Sequence, residues 1–178
     1  MTTYVAMLRG VNVGPHNRIK MPALAQLFTD LGHSGVVTYI QSGNVVFTSG
    51  SKSSTALARA IEARIARELG CDVAVLLRTK DELAKVMRAN PFLREQADPA
   101  RLHVTLVAEK PDAARVRAVR EFDAGADELV VRGRDVYLHC PKGYGTTKLN
   151  NGFFEKRLHA VATTRNWNSV GKLLDLAQ

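Results

Sequence analysis

The chain has 178 residues, of which 46% are hydrophobic, enough to build one compact domain or two small ones. No apolar run approaches the roughly 20 residues of a membrane span, and the N-terminal residues lack a signal-peptide core, so we expect a cytoplasmic protein. The net charge of +8 divides into +5 over residues 1–80, −1 over 81–138 and +4 over 139–178. This distribution is compatible with a basic face that binds phosphate-bearing partners, and equally with surface charge that only keeps the protein soluble.

Residues 1–80 are predicted to form a strand-helix-strand-strand-helix-strand unit. Its first helix starts near Pro22, and its second has an apolar stripe that ends at Gly70, a typical C-terminal cap. Ser42-Gly43 is predicted as a two-residue hairpin turn, because glycine supplies the positive φ that such turns need. The predicted strands cover residues 3–9, 36–41, 44–48 and 73–78.

The second half is predicted to repeat this order after a linking helix. The sequence Thr79-Lys80-Asp81-Glu82 is a capping box that starts the linker, and Gly133-Arg134 is a hairpin turn that mirrors the first. The predicted strands cover 102–108, 128–132, 135–140 and 161–165, and the helices cover 112–120, 152–160 and a final segment from about 167.

This order predicts an α+β protein with two tandem ferredoxin-like, or alpha-beta plait, subdomains that have antiparallel sheets. The expected domains are 1–80, a linker over 81–100, a second subdomain over 101–166 and a C-terminal helix over 167–178. With right-handed crossovers, the loop 9–20 and the hairpin 41–44 should be neighbours at one end of the first sheet.

The first candidate site is this loop together with this hairpin. Glycine lets backbone N–H groups approach a ligand, arginine and lysine supply positive charge, and asparagine and glutamine both donate and accept hydrogen bonds. That chemistry suits a phosphate group or a nucleobase edge, although Gly and Asn are also ordinary turn residues. The candidate ligand-binding residues are Arg9, Gly10, Asn12, Gly14, Lys20, Gln41, Ser42 and Asn44.

Polar residues in the second half form two further candidates. Lys148 and Asn150 lie where a Gly-rich loop enters a helix, whose N-terminus attracts anions. The loop is not a Walker A motif, because no Gly-Lys-Thr triplet is present. Arg165 and Asn166 lie beside the single tryptophan. In both places a structural role as a loop or helix cap is the alternative.

Residues typical of catalysis or metal binding are not arranged in a known pattern. The five histidines lack metal-ligand spacing, and Cys71 and Cys140 lie far apart, so neither a metal site nor a disulfide is predicted. No nucleophile elbow is present, and the acidic residues cluster away from the basic loops. We therefore assign no catalytic residue and no cofactor.

Several of these segments together resemble one bacterial family, domain of unknown function 1697. They are YVAMLRGVNVGPHNRIKM, YIQSGNVVFTS, NPF at 90–92, TKLNN and ATTRNWNSVGKLLDLA, with Pro15-His16 as the main departure. The resemblance implies a tandem ferredoxin-like bacterial protein and implies no activity, substrate or cofactor. The residues that match the family are Arg9, Gly10, Asn12, Gly14, Lys20, Gln41, Ser42, Gly43, Asn44, Lys148, Asn150, Thr164, Arg165, Asn166 and Trp167.

Our leading hypothesis is that the polar basic loops bind an anionic, phosphate-bearing partner, either a nucleotide-like small molecule or RNA. An aromatic content of 6% disfavours RNA, because single-stranded nucleic acids are held by stacking on exposed rings. Two alternatives remain open: an enzyme acting on a small anionic substrate, and a structural protein that self-associates, for example as a homodimer.

Overall fold

The computed structural model describes residues 1–178, with the exception of the side chain of Glu95. The chain forms two compact units, Met1–Lys85 with Lys172–Gln178, and Val86–Gly171. Each unit contains one four-stranded antiparallel sheet, which confirms the predicted α+β class with two ferredoxin-like subdomains. Within the described part of the chain, no helix combines the length and the apolar character that crossing a membrane requires.

The first unit is a sheet that carries two helices. Numbered along the chain with the ranges given at the end of this paragraph, its strands lie in the sheet in the order β2-β3-β1-β4, and every neighbouring pair is antiparallel. The first strand therefore pairs with the third and the last, as in the split βαβ motif. The elements are β1 (Thr2–Leu8), α1 (Met21–Asp30), β2 (Ser34–Tyr39), β3 (Asn44–Ser49), α2 (Ser54–Leu69) and β4 (Val75–Thr79).

Both helices of the first unit bury one apolar face against this sheet. Leu24 and Phe28 of α1 are fully buried, and Phe28 meets Phe47 of β3 edge-on with ring centroids 4.9 Å apart. The helix α2 is capped by Ser53, whose Oγ accepts a hydrogen bond from the backbone of Ala56 at 3.2 Å. The apolar stripe of α2 completes the core with Leu57, Ile61 and Ile65.

The second unit repeats the same strand order, β6-β7-β5-β8. The predicted last strand over 161–165 is confirmed with a shift of one residue, because Ala162–Asn166 pairs with β5 along its whole length. Short 3-10 turns occur at Pro91–Glu95, Pro99–Arg101 and Tyr144–Thr146. The elements are β5 (Leu102–Val107), α4 (Ala113–Arg120), β6 (Glu128–Arg132), β7 (Asp135–His139), α5 (Asn151–Leu158) and β8 (Ala162–Asn166).

The hairpin of the second unit has the predicted two-residue turn. Arg132 pairs with Asp135, so Gly133 and Arg134 alone connect β6 to β7. Gly133 has a φ of +63°, the left-handed conformation that glycine adopts without steric cost.

The hairpin of the first unit differs, and the prediction of a two-residue turn at Ser42-Gly43 was wrong. Tyr39 pairs with Asn44, so four residues, 40–43, connect β2 to β3. Strand β2 ends early because Ile40 leaves the extended conformation and takes a φ of +48°. The two hairpins therefore do not mirror each other.

In both units the fourth strand leads directly into a helix. The helix α3 (Lys80–Arg88) follows β4 through the predicted capping box, which is confirmed: Thr79 Oγ1 accepts from the backbone N–H of Glu82 at 3.2 Å, and Glu82 Oε2 accepts from that of Thr79 at 2.9 Å. The helix α6 (Trp167–Leu176) follows β8, and Asn166 Oδ1 accepts from the backbone of Asn168 at 3.0 Å. The repeated pattern therefore has seven elements: four strands, the two helices between them and the helix that follows the fourth strand.

Candidate functional site

The side chain of Asn12 joins the loop after β1 to the hairpin of the first unit. Its Nδ2 donates to the backbone carbonyl oxygens of Ile19, at 2.9 Å, and Gln41, at 2.7 Å. Its Oδ1 accepts from the backbone N–H of Ile19 at 2.9 Å. The predicted proximity of the loop 9–20 and the hairpin 41–44 is therefore confirmed, and the Asn12 amide bridges the two segments.

Glycine at position 43 lets the hairpin approach the first strand closely. The backbone N–H of Leu8 donates to the carbonyl oxygen of Gly43 at 2.9 Å. A Cβ atom on Gly43 would lie 2.9 Å from the Cβ of Leu8 and 3.3 Å from that of Val11. Gly43 also has a φ of +75°, so both its backbone conformation and its surroundings require glycine.

Between the loop and the hairpin lies an open cleft of about 360 Å³. Its lining residues are Asn12, Gly14, Arg18 and Gln41. The Arg18 side chain is exposed and forms no hydrogen bond or ion pair with any described residue. No carboxylate lines the cleft, so the guanidinium is available to an anion from solvent.

The backbone of the loop adds hydrogen-bond donors to this cleft. Gly10, Asn12 and Gly14 have φ values of +69°, +56° and +70°, and the two valines between them have negative values. Alternation of this kind occurs in backbone concavities that bind anions. Among the described residues, the backbone N–H groups of Val13 and Gly14 have no acceptor, so they are free to bind a ligand.

The N-terminus of α1 follows the same loop and is not compensated by negative charge. Its N-cap residue, Lys20, supplies no side-chain hydrogen bond, and its first turn contains no acidic residue. The positive end of the helix dipole therefore adds to the positive charges of Arg18 and Lys20.

The eight predicted ligand-binding residues of the first unit have different positions. Asn12, Gly14 and Gln41 line the cleft, whereas Arg9 and Gly10 are half-buried at the end of β1 and Lys20 is exposed at the start of α1. Ser42 and Asn44 shape the turn instead: Asn44 is fully buried, and its Nδ2 donates to Tyr39 O at 3.1 Å and Ser42 Oγ at 2.8 Å.

Arg18 is the lining residue that the sequence analysis did not single out. The signal for it is its position between Asn17 and Lys20, in a loop where every charged side chain is basic.

Three of the four predicted residues of the second unit already hold structural hydrogen bonds. Lys148 is exposed, but Asn150 caps α5 by accepting from the backbone of Phe153 at 3.0 Å. Arg165 is buried, donates to Thr163 Oγ1 at 2.7 Å, and has a pKa lowered to about 10 by desolvation. Asn166 caps α6, and it points to the opposite face of β8 from Arg165.

A chain of hydroxyl and amide groups beside α5 was also missed by the sequence analysis. Thr105 and Thr164 pair across β5 and β8 with their Oγ1 atoms 2.7 Å apart, and Thr164 Oγ1 donates to Asn151 Oδ1 at 2.8 Å. The signal for it is Thr105, which with His103 is one of two polar residues in the otherwise apolar strand LHVTLV. Because each hydroxyl has a partner, this chain stabilises the junction of sheet and helix.

His103 lies on the same face of β5 as Thr105. Its ring stacks on Tyr144 with centroids 4.7 Å apart, and only 7% of the residue is exposed. Its Nδ1 is buried without a hydrogen-bond partner among the described residues. Desolvation lowers the pKa of His103, and the nearby backbone of Arg101 partly offsets this effect.

The fold and the cleft define a class of proteins with two ferredoxin-like units in one chain and a polar loop on the first. A family model described as protein of unknown function (DUF1697) matches residues 1–137, and the chain belongs to this family. This confirms the family resemblance of the loop sequences.

A solved structure shows the same architecture. It is a conserved bacterial protein, SP0830 from Streptococcus pneumoniae, with 25% sequence identity and a TM-score of 0.80 over 99% of both chains. None of the curated proteins is significantly similar to the chain.

Proposed function

We propose that the cleft of the first unit binds a small phosphate-bearing molecule. The observation that carries this proposal is the lining of the cleft, which combines an unpaired, exposed Arg18 with the unpaired backbone N–H of Gly14 and has no carboxylate. Guanidinium and backbone N–H groups are the donors that proteins most often use for phosphate.

The charge of the N-terminal part of the first unit, residues 1–61, supports an anionic ligand. Residues 1–61 contain five basic residues and a single acidic one, Asp30. Asp30 is the last residue of α1, a ten-residue helix that begins after the loop and is about 15 Å long. The acidic side chain therefore lies at the end of this helix that is remote from the cleft.

The size of the cleft and the burial of the aromatic residues favour a small molecule over RNA. A volume of about 360 Å³ lies within the range of about 300–1,000 Å³ that is typical of small-molecule sites. The rings of Tyr4, Phe28 and Phe47 lie in the core, where they are unavailable for stacking on bases. None of the lining residues is a general acid or base, so no specific observation favours an enzyme.

A thermal-shift screen of the purified protein tests this proposal. The panel contains inorganic phosphate, nucleoside monophosphates, sugar phosphates and a short oligonucleotide, all at constant ionic strength. A ligand at 100 times its Kd adds about 2.7 kcal/mol to the free energy of unfolding, which a melting curve resolves. We expect stabilisation by small phosphates, whereas stabilisation by the oligonucleotide alone would contradict the small-molecule proposal.

Charge-reversal variants show whether the cleft is responsible. The variant Arg18→Glu should lose at least about tenfold in phosphate affinity, because a charged hydrogen bond contributes about 1.5–3 kcal/mol. The matched control is Arg59→Glu, an exposed residue of α2 that has no partner among the described residues and undergoes the same charge change. Equal losses in both variants would show that general electrostatics, and not the cleft, attract the ligand.

A further inference from the structure

Two exposed aliphatic residues are sequence neighbours of residues that line the cleft. Val13 is 74% exposed, and it lies between the lining residues Asn12 and Gly14. Ile40 is 49% exposed and precedes the lining residue Gln41. The 2.7 Å hydrogen bond from Asn12 Nδ2 to Gln41 O holds the two segments together, so each aliphatic residue lies one position from the same bond.

The backbone of Ile40 is unusual for its residue type. Its φ of +48° is in the left-handed region, which β-branched residues strongly avoid. At comparable φ values the neighbouring loop uses Asn12 and Asn17, residues that tolerate this conformation. Isoleucine is therefore sterically unfavourable at this position of the turn, and about half of its side chain remains exposed to water. Residues that disagree with their local conformation in this way concentrate at ligand-binding sites.

We infer that the cleft recognises a phosphate monoester whose ester group is apolar. This inference rests on the proposed function and specifies its ligand: the phosphate contacts Arg18 and the N–H of Gly14, and the apolar group covers Val13 and Ile40. Single exposed aliphatic residues are common on protein surfaces. These two are each adjacent in sequence to a residue that lines a cationic cleft, so an amphiphilic ligand bound there has exposed apolar side chains available to its apolar part.

Titration with matched phosphates tests the inference. The 1H–15N NMR spectrum of the full chain is followed while methyl phosphate, n-butyl phosphate or glycerol 1-phosphate is added at constant ionic strength. Each buried methylene strengthens binding about fourfold, so n-butyl phosphate should bind at least about tenfold more tightly than methyl phosphate. Glycerol 1-phosphate, which has a polar chain of similar size, should resemble methyl phosphate.

Variants separate the apolar residues from the anion site. Ile40→Asn should reduce the preference for n-butyl phosphate and leave methyl phosphate affinity within about twofold. Ile40→Asn should also raise the melting temperature by about 2–4 °C, because asparagine tolerates the left-handed conformation. The variant Arg18→Ala should weaken all three ligands.

The outcomes distinguish this inference from the proposed function. Equal affinities for the three phosphates at the cleft would overturn the inference and leave the phosphate site intact, whereas no binding of any of them would overturn both. An alkyl phosphate can be a free molecule or part of an anionic lipid. Co-sedimentation with vesicles of phosphatidylcholine and phosphatidic acid, lost in Ile40→Asn, would assign the ligand to lipid, and its absence would assign it to a free phosphate ester.

Discussion

Gly43 shows how a single residue determines the geometry of the cleft. Its positive φ and the 2.9 Å approach to the Cβ of Leu8 leave no room for a side chain. We predict that Gly43→Ala lowers the free energy of unfolding by about 2–4 kcal/mol, the sum of a left-handed alanine and an overpacked contact. The measurement is equilibrium unfolding in urea.

The control for this prediction is Gly133→Ala in the other hairpin. Gly133 has a similar φ of +63°, but a Cβ there would meet no atom within 4 Å. In that variant the free energy of unfolding should fall by only about 1–2 kcal/mol, the cost of placing alanine in the left-handed conformation. Equal losses at the two positions would contradict the close packing of Gly43 on β1.

His103 makes stability depend on pH. Because desolvation lowers its pKa in the folded state, the unfolded chain binds more protons as the pH falls through about 6.5, the ordinary histidine value. The contribution of His103 to the free energy of unfolding is therefore fully present above about pH 6.5. Below that pH it declines by at most about 1.4 kcal/mol per pH unit. His33, whose pKa burial also lowers, acts in the same direction.

The variant His103→Phe should flatten this pH dependence. Phenylalanine keeps the stacking on Tyr144 and has neither a titrating group nor an unpartnered nitrogen. Free energies of unfolding at pH 7.5, 6.5 and 5.5 give the slope, with the exposed His16→Gln as the control. A slope unchanged from that of the original chain would show that His103 is protonated equally in both states.

At the scale of elements, the contact between loop and hairpin depends on Asn12. The variant Asn12→Asp replaces the Nδ2 amino group, which donates to the carbonyl oxygens of Ile19 and Gln41, by a single oxygen atom that cannot donate. We predict a loss of about 1–3 kcal/mol in unfolding free energy, because the repelled carbonyl groups lose their donor. In urea unfolding, Asn17→Asp in the same loop should change stability by less than half as much, and equal effects would argue against a specific role for the Asn12 amide.

Predictions from sequence succeeded for elements governed by periodicity and turn chemistry. The second hairpin and the capping box at Thr79 have local signals that determine their geometry, and both were predicted correctly. The first hairpin was not, because a left-handed isoleucine at position 40 contradicts residue preference and depends on the surrounding structure.

The candidate site could be located from sequence, but its side chains could not be assigned roles. Strand order alone places the loop beside the hairpin, which is why the loop 9–20 and the hairpin 41–44 were predicted as neighbours. Whether an asparagine faces solvent or the backbone depends on hydrogen bonds formed after folding. Asn44 is therefore fully buried in the turn, whereas Arg18, which resembles any surface arginine in sequence, lines the cleft.

At the scale of the whole molecule, the two units are equivalent in order and different in their loops. Val5 pairs with Arg78 in the first sheet just as Val104 pairs with Arg165 in the second, so a buried arginine occupies the same place in each fourth strand. The connections after the first strand of each unit differ, however. The first unit has a long loop between β1 and α1, whereas the second has a short connection between β5 and α4. The proposed ligand site therefore belongs to the loop that the two units do not share.

The central claim is that this unshared loop binds phosphate, and NMR titration of the full chain with inorganic phosphate tests it most directly. At constant ionic strength, the amide signals of Val13 and Gly14 should shift with saturation in the original chain, and in Arg18→Glu the same shifts should need at least about tenfold more phosphate. The absence of saturable shifts at these two amides, or equal shifts in the Arg18→Glu variant, would contradict the account.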